Sequence, residues 1–522
     1  LTTENTNTVS ADDRGGQGGL FSRFLTTVEW LGNLLPHPVT LFALLSLFIV
    51  LLSGILGYFD IAVADPRPIG AKGREEDGMI EVISLMSAEG LQRIVTGLVT
   101  NFTGFAPLGT VLVALLGVSV AEHSGLLSAA MRALVMNASK RAVTFAIVFA
   151  GIISNTASEL GYVVLIPLAA MIFHSLGRHP LAGLAAAFAG VSAGYSANLL
   201  LGTVDPLLSG ITEAAAHMID PDYMVGPEVN WYFMFISTFV VATMGALVTE
   251  KVVEPRLGKF DPADASIDLG KQSMDAPTDL EKKGLRWAGI SFVIVCAILA
   301  LTVVPENGIL RHPETGEVAG SPFLKGIVAF IFITFAIPGF VYGKVTKSMK
   351  NDKDVIDAMS KSMGAMGLYI TLVWTNLGTV LAVKGAALLQ AAGLDGPAVF
   401  ILFILMCGVV NLSLGSASAQ WAVTAPIFVP MLMLIGYAPE VIQAAYRIGD
   451  SVTNVIAPMM SYFGLILAMA ARYKKDLGMG TLIAMMLPYS MVFIVGWTIL
   501  FYIWVFLLGM PVGPGAATYY QP

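Results

Sequence analysis

Residues 142–178 read AVTFAIVFAGIISNTASELGYVVLIPLAAMIFHSLGR. An apolar stretch is interrupted at its middle by Ser154-Asn155-Thr156-Ala157-Ser158, and Pro167 follows. In hydrocarbon each freed backbone group costs several kcal/mol, so such a break survives only where protein or a water-filled cavity satisfies it. Lys140 and Arg141 stand at one end and Arg178 at the other. Positive charge marks the cytoplasmic side of a membrane. The stretch therefore enters and leaves on that side, as a re-entrant hairpin.

The rest of the chain supports a bilayer setting. Of its 522 residues 56% are hydrophobic and only 12% charged, against about 25% charged in soluble domains. Segments 38–58, 230–249, 287–304, 326–343 and 480–510 are long and apolar enough to span. With a net charge of −7 and no long basic stripe, nucleic acid is not a partner. Cys296 and Cys407 both lie in apolar runs, which supports neither a disulfide framework nor a zinc cluster. The polar, glycine-rich residues 1–20 read as a disordered tail without the core of a signal peptide.

A second broken stretch lies within 396–472, and the chain repeats itself. Leu108-Gly109-Thr110-Val111-Leu112 returns as Leu377-Gly378-Thr379-Val380-Leu381. The first copy is followed by the Ser154 tip, Pro167, Ser196-Ala197-Asn198 and Pro206. The second is followed by Ser413-Leu414-Gly415-Ser416-Ala417-Ser418, Pro426, Ser451-Val452-Thr453-Asn454 and Pro458. Segment 411–436 ends in uncharged Gly436-Tyr437-Ala438-Pro439, and the next span runs down to Arg472, Lys474 and Lys475, so this hairpin opens to the outside. Two hairpins meeting from opposite faces are the mark of an inverted-repeat secondary transporter.

Loop charge orients the chain. Segments 250–286 and 344–361 are rich in Lys and Arg, whereas none occurs between Arg178 and Lys251. Both basic loops are then cytoplasmic, with the N-terminus inside and the C-terminus outside. The loop 59–88 is an exception, placing Arg67, Lys72 and Arg74 outside among acidic residues. The chain divides into a cytoplasmic tail and amphipathic lead-in (1–34), a first half (35–249), a cytoplasmic loop (250–286), connecting helices (287–361), the second repeat and last span (362–510) and an external tail (511–522).

The broken positions carry the candidate chemistry. Ser154, Asn155 and Thr156 offer hydroxyl and amide oxygens suited to Na⁺, with Asn198 supplying the other side; Ser416 and Asn454 are their counterparts. Ser and Asn also cap helices, and both roles can coexist. Arg447 and Asp450, three residues apart, share a helix face. They form either a structural ion pair or a site in which Arg447 grips an anionic substrate by its planar fork. Asp205, before Pro206, is an ion relay or a boundary residue, and Glu159 has the same two readings. Trp421 is an interfacial anchor or stacks on an aromatic ligand. No Gly-x-x-x-x-Gly-Lys-Ser/Thr loop is present, nor His-Glu-x-x-His. Ile448-Gly449-Asp450 with Asp205 distantly resembles intramembrane aspartyl proteases, but Arg447 replaces the glycine their motif requires. A channel, which would need a continuous polar pore, is a further rival.

The sequence resembles the AbgT family of p-aminobenzoyl-glutamate transporters over essentially its whole length. The specific stretches are Leu35 to Pro38, Asn101 to Gly109, Ser154 to Tyr162, Gly202 to Leu208, Gly415 to Pro426 and Tyr446 to Pro458. The resemblance implies an all-α polytopic membrane protein with about nine spans and two re-entrant hairpins. It implies a homodimer in the bacterial inner membrane, carrying p-aminobenzoyl-glutamate and related aromatic carboxylates and exporting sulfonamides. Family positions linked to transport fall on Asp205, Asn411, Ser418, Trp421, Arg447, Asp450 and Pro458. A gradient of Na⁺ or H⁺ would drive transport, with bound Na⁺ the only cofactor expected. One departure is that the stretch before Trp374-Thr375-Asn376 is shorter than the family pattern. A Na⁺-coupled carboxylate importer of other specificity is the alternative reading.

Overall fold

The computed structural model describes residues 38–59, 61–67, 74, 77–103, 107–157, 161–262, 265–266, 276–318, 321–363, 377–475 and 477–521. The tail 1–34, Glu159 and the shortened stretch before Trp374 lie outside them. The described chain is mostly helical. It opens with α1 (Pro38–Tyr58) and the strands β1 (Ala62–Ala64) and β2 (Met79–Glu81), which pair antiparallel. This two-stranded ribbon is a small departure from the all-α expectation. In the same loop Arg67 hydrogen-bonds Asp65, and Arg74 donates to the Asp65 carbonyl at 3.1 Å. Burial alone would raise the Asp65 carboxyl, but the Arg67 contacts outweigh it and hold it below the usual range.

After α2 (Ala88–Thr103), the first half contains α3 (Pro107–His123), α4 (Leu126–Met136), α5 (Val143–Ser154), α6 (Ile166–Ser175), α7 (Pro180–Phe188), α8 (Val204–Ala216) and α9 (Trp231–Val248), the last prolonged to Leu257. Then come α10 (Asp279–Val303), α11 (Ile327–Thr346) and α12 (Asp352–Met363). The second half contains α13 (Leu377–Ala391), α14 (Val399–Leu414), α15 (Ala417–Leu434), α16 (Pro439–Val452), α17 (Phe463–Ala471) and α18 (Met479–Tyr502), prolonged to Leu507. The helical prolongation of α9 and the early start of α10 shorten the loop expected over 250–286. Five helices are long and apolar enough to cross a bilayer among the described residues, or up to six if the bent pair α3–α4 counts as one. The chain is a multi-pass membrane protein.

The order of elements recurs. The repeated Leu-Gly-Thr-Val-Leu lies in the first turns of α3 and of α13. A helix–break–helix pair follows in each half, α5/α6 and α14/α15. Next comes a helix opened by proline at its first position, Pro180 in α7 and Pro439 in α16, where the missing N–H is no loss. Each of these is interrupted before it resumes as α8 or α17. Gly190 and Gly449 both stand ten residues after the opening proline. A Cβ on Gly190 would lie 2.3 Å from the Val148 carbonyl oxygen of α5, and one on Gly449 2.5 Å from that of Ile404 in α14. In both halves, therefore, the broken helix crosses the preceding pair backbone against backbone.

Outside the helices, Glu228 lies in the loop before α9 and is only 8% exposed, with Oε2 unpartnered. Burial pushes its carboxyl up to about 7, against 4.5 in the unfolded chain. Its folded state holds the proton more tightly, so its stabilising contribution is complete below the unfolded value and is lost as pH rises through about 7. The apparent melting temperature of the solubilised protein should fall between pH 5 and pH 8. Glu228→Gln should remove much of that fall and be the more stable form at the upper end. An identical pH profile in the variant would refute the assignment.

Candidate functional site

The interrupted segments converge. α5 ends at Ser154, a tight turn covers Asn155–Ala157, and the chain resumes at Gly161. A Cβ on Gly161 would lie 2.1 Å from Ser154 Oγ, so only glycine lets the return arm pass. The Ser154 hydroxyl donates to the Gly151 carbonyl at 2.6 Å, a back-bond to the last turn of its own helix. Thr156 Oγ1 donates to Asn198 Oδ1 at 2.7 Å, joining the first tip to the interruption between α7 and α8. Asn155 Oδ1 is buried and has no hydrogen-bond partner.

In the second half the turn is made by Gly415, whose φ of 54° is left-handed and suits glycine. Asn411, fully buried near the end of α14, faces the interruption after α16. Its Nδ2 lies 2.7 Å from the Asp450 carbonyl oxygen, 3.0 Å from Thr453 Oγ1 and 2.7 Å from Asn454 Oδ1. Three oxygens thus crowd one amide nitrogen that has two hydrogens, while Asn411 Oδ1 is unpartnered. Ala457 is extended, as the residue before Pro458 must be. Asn454 is joined to Asn411, whereas Ser416 stands at the start of α15, its carbonyl accepting the Gln420 N–H at 2.9 Å. Ser418 is half-buried one turn before Trp421.

The two interruptions also face each other. Ser196 N–H donates to Ser451 Oγ at 3.1 Å, and Asn454 Nδ2 to the Ser192 carbonyl at 3.3 Å. At this crossing Arg447 reaches from α16 to the first half. Its Nη1 meets Asp205 Oδ1 at 2.7 Å and its Nη2 donates to the Ser196 carbonyl at 2.9 Å. Asp205 Oδ2 accepts the Gly202 N–H at 2.7 Å, which fixes the carboxylate at the start of α8. Both side chains of this pair are almost wholly covered. Of the two readings of Arg447 and Asp450, the ion pair between them does not form; the guanidinium pairs with Asp205 instead. A helix brings i and i+3 onto one face, but the guanidinium extends away from its own helix toward the opposing segment.

Asp450 is left at 0% exposure and in no ion pair among the described residues. The Tyr446 hydroxyl, which donates to the Ala417 carbonyl, is beside it. Arg447 Nε and Gln420 Oε1 are also buried without partners. Trp421 lies flat on Tyr446, with ring centroids 4.1 Å apart at 22°. Its indole N–H donates to Thr212 Oγ1 at 2.9 Å. The site thus combines a cation with one free donor edge, an isolated carboxylate and a stacked aromatic pair. Both Asp205 oxygens are engaged and Asp450 is not joined to it, which is not the shared carboxylate dyad of an aspartyl protease.

Thr212, Gln420 and Tyr446 were not among the residues expected from sequence. Tyr446 was legible as the neighbour of Arg447, and Gln420 as the neighbour of Trp421. Thr212 carried no local signal, since nothing in α8 distinguishes it from an ordinary helical threonine.

A family model described as the AbgT putative transporter family matches residues 23–520. The p-aminobenzoyl-glutamate transport protein of Escherichia coli (strain K12) is 37% identical over 500 residues, covering 94% of this chain and 95% of that one. Among solved structures, Neisseria gonorrhoeae MtrF aligns with a TM-score of 0.86 and 62% identity, covering 95% of this chain and 100% of that one. It is described as illuminating a class of antimetabolite efflux pumps. The Alcanivorax borkumensis YdaH transporter aligns with a TM-score of 0.82 and 44% identity over 92% of this chain and 100% of that one.

Proposed function

Since the chain belongs to the AbgT putative transporter family, we propose that it is a secondary active transporter of p-aminobenzoyl-glutamate and related folate-pathway compounds. It also exports sulfonamide antimetabolites and is driven by a Na⁺ or H⁺ gradient. The observation that carries this reading is the Arg447–Asp205 pair at the crossing of the two interrupted segments, with Trp421 stacked beside it on Tyr446.

The substrate carboxylate competes with Asp205 for the guanidinium, entering along the edge whose Nε has no partner. The aromatic ring is held at Trp421. That side chain is fully covered here, so loading requires the second hairpin tip and α16 to separate. α5/α6 and α14/α15 are the two re-entrant hairpins, entering from opposite faces of the bacterial inner membrane within an inverted repeat of about nine spans. The recurring element order and the matching crossings at Gly190 and Gly449 support that arrangement. The N-terminus is cytoplasmic, the C-terminus periplasmic, and the protein a homodimer.

The Na⁺ positions are Asn155 with Thr156 and Asn198 at the first tip, and Asn411 with Asn454 at the second. The O and N of an amide are assigned from their neighbours. Turning Asn411 over would point a fourth oxygen at the three that crowd it, a set suited to a monovalent cation. Asn155→Ala or Asn454→Ala should raise the Na⁺ concentration for half-maximal transport several-fold. An unchanged Na⁺ response in both variants counts against the tips as ion sites.

The decisive experiment follows labelled p-aminobenzoyl-glutamate into and out of vesicles, with Na⁺ and pH gradients imposed separately. Saturable, gradient-dependent flux is the expected result. Flux that never saturates would indicate a channel instead.

A further inference from the structure

The Trp421 N–H opens a chain of hydrogen bonds that runs away from the site. Thr212 Oγ1 accepts it at 2.9 Å. The threonine proton is shared between Gln443 Oε1 at 2.6 Å and the Leu208 carbonyl at 2.8 Å. Gln443 Nε2 donates to Asn230 Oδ1 at 2.8 Å, and Asn230 Nδ2 to the Glu440 carbonyl at 2.8 Å. Trp421, Thr212, Gln443 and Asn230 are all fully buried. Each donor points onward from the indole, so the orientation of every group fixes the next. The chain ties together α15, α8, α16 and the residue that opens α9.

We propose that Thr212 and Gln443 are positioning residues of the binding site: they fix the rotation of the Trp421 indole against Tyr446, and so the surface the substrate ring meets. This rests on the reading of Trp421 as a substrate contact. A buried indole N–H that loses its acceptor has no water to turn to. Thr212→Val keeps the shape and removes that acceptor. The freed ring then leaves its stacked position, and the cost falls on substrate binding.

The test uses full-length protein in proteoliposomes with labelled p-aminobenzoyl-glutamate. Thr212→Val should raise KM about tenfold with kcat little changed, a shift of about 1.4 kcal/mol. Thr212→Ser, which restores the oxygen, should return KM to the original value. In a Trp421→Phe background, where no N–H remains, Thr212→Val should add little further. Effects that simply add in the double variant, or an unchanged KM in Thr212→Val, would overturn the proposal. Should Thr212→Val not accumulate in the membrane, Gln443→Met goes through the same cycle, with the same outcomes deciding. Failure of the substrate reading itself appears separately, as normal flux in Trp421→Ala.

Discussion

Arg447→Ala should abolish transport, with flux reduced more than a hundredfold, and should lower the amount of protein in the membrane. Both effects have one origin. Arg447 and Asp205 are paired at 2.7 Å with side chains 2% and 5% exposed. Removing one member of a buried pair strands the other charge, at a cost of about 3–5 kcal/mol. Loss of transport in the single variant therefore does not separate binding from folding. The double variant Arg447→Met with Asp205→Asn does, because replacing both charges leaves neither stranded. It should accumulate nearly as the parent does and still fail to carry p-aminobenzoyl-glutamate. Restored flux in that variant would remove Arg447 from the substrate site and leave the pair a structural one.

For Asp450→Asn the expected outcome is loss of coupling with substrate binding retained. A carboxylate at 0% exposure, in no ion pair and with only the neutral Tyr446 hydroxyl named beside it, is one of the most expensive groups a protein can bury. Arg447 does not neutralise it by direct contact, since that guanidinium is committed to Asp205 and Ser196. In the proposed transport cycle a cation or a proton accompanies Asp450, and the amide of asparagine needs neither. Exchange of labelled for unlabelled substrate should continue in the variant. Accumulation driven by an imposed Na⁺ or pH gradient should drop at least tenfold. Gradient-driven accumulation at the parent's level would show that the coupling charge lies elsewhere.

Much of the framework was legible because membrane segments announce themselves in one dimension. α1 keeps the bounds of segment 38–58, though it is not among the five described helices long and apolar enough to cross. α9, α10, α11 and α18 are, and differ from the other four expected spans mainly at their ends, while the fifth is α15. Interruptions at Ser154 and Gly415 were visible because Ser, Asn and Gly do not sit in hydrocarbon without a reason. Pairing across the molecule was not legible. Arg447 had a carboxylate three residues away in sequence and chose one 242 residues distant, because side-chain reach and the crossing of the segments decide partners. The repeat shows in the sequence at its tips, where residue types match, and hardly at the crossings, which rest only on the spacing from Pro180 to Gly190 and from Pro439 to Gly449. That alignment sets Phe188 and Val191 opposite Arg447 and Asp450, so these two charges have no counterpart in the first copy, which contributes Asp205 instead.

The contacts at Gly190 and Gly449 also bear on how mutational surveys of this protein would score. Neither residue has a side chain with which to touch a solute, yet one extra methyl at either point would wedge two main chains apart. Both should rank with the most intolerant positions in any selection for transport. A map of damage drawn from such data would then mark points where main chains touch as strongly as points where a solute is held.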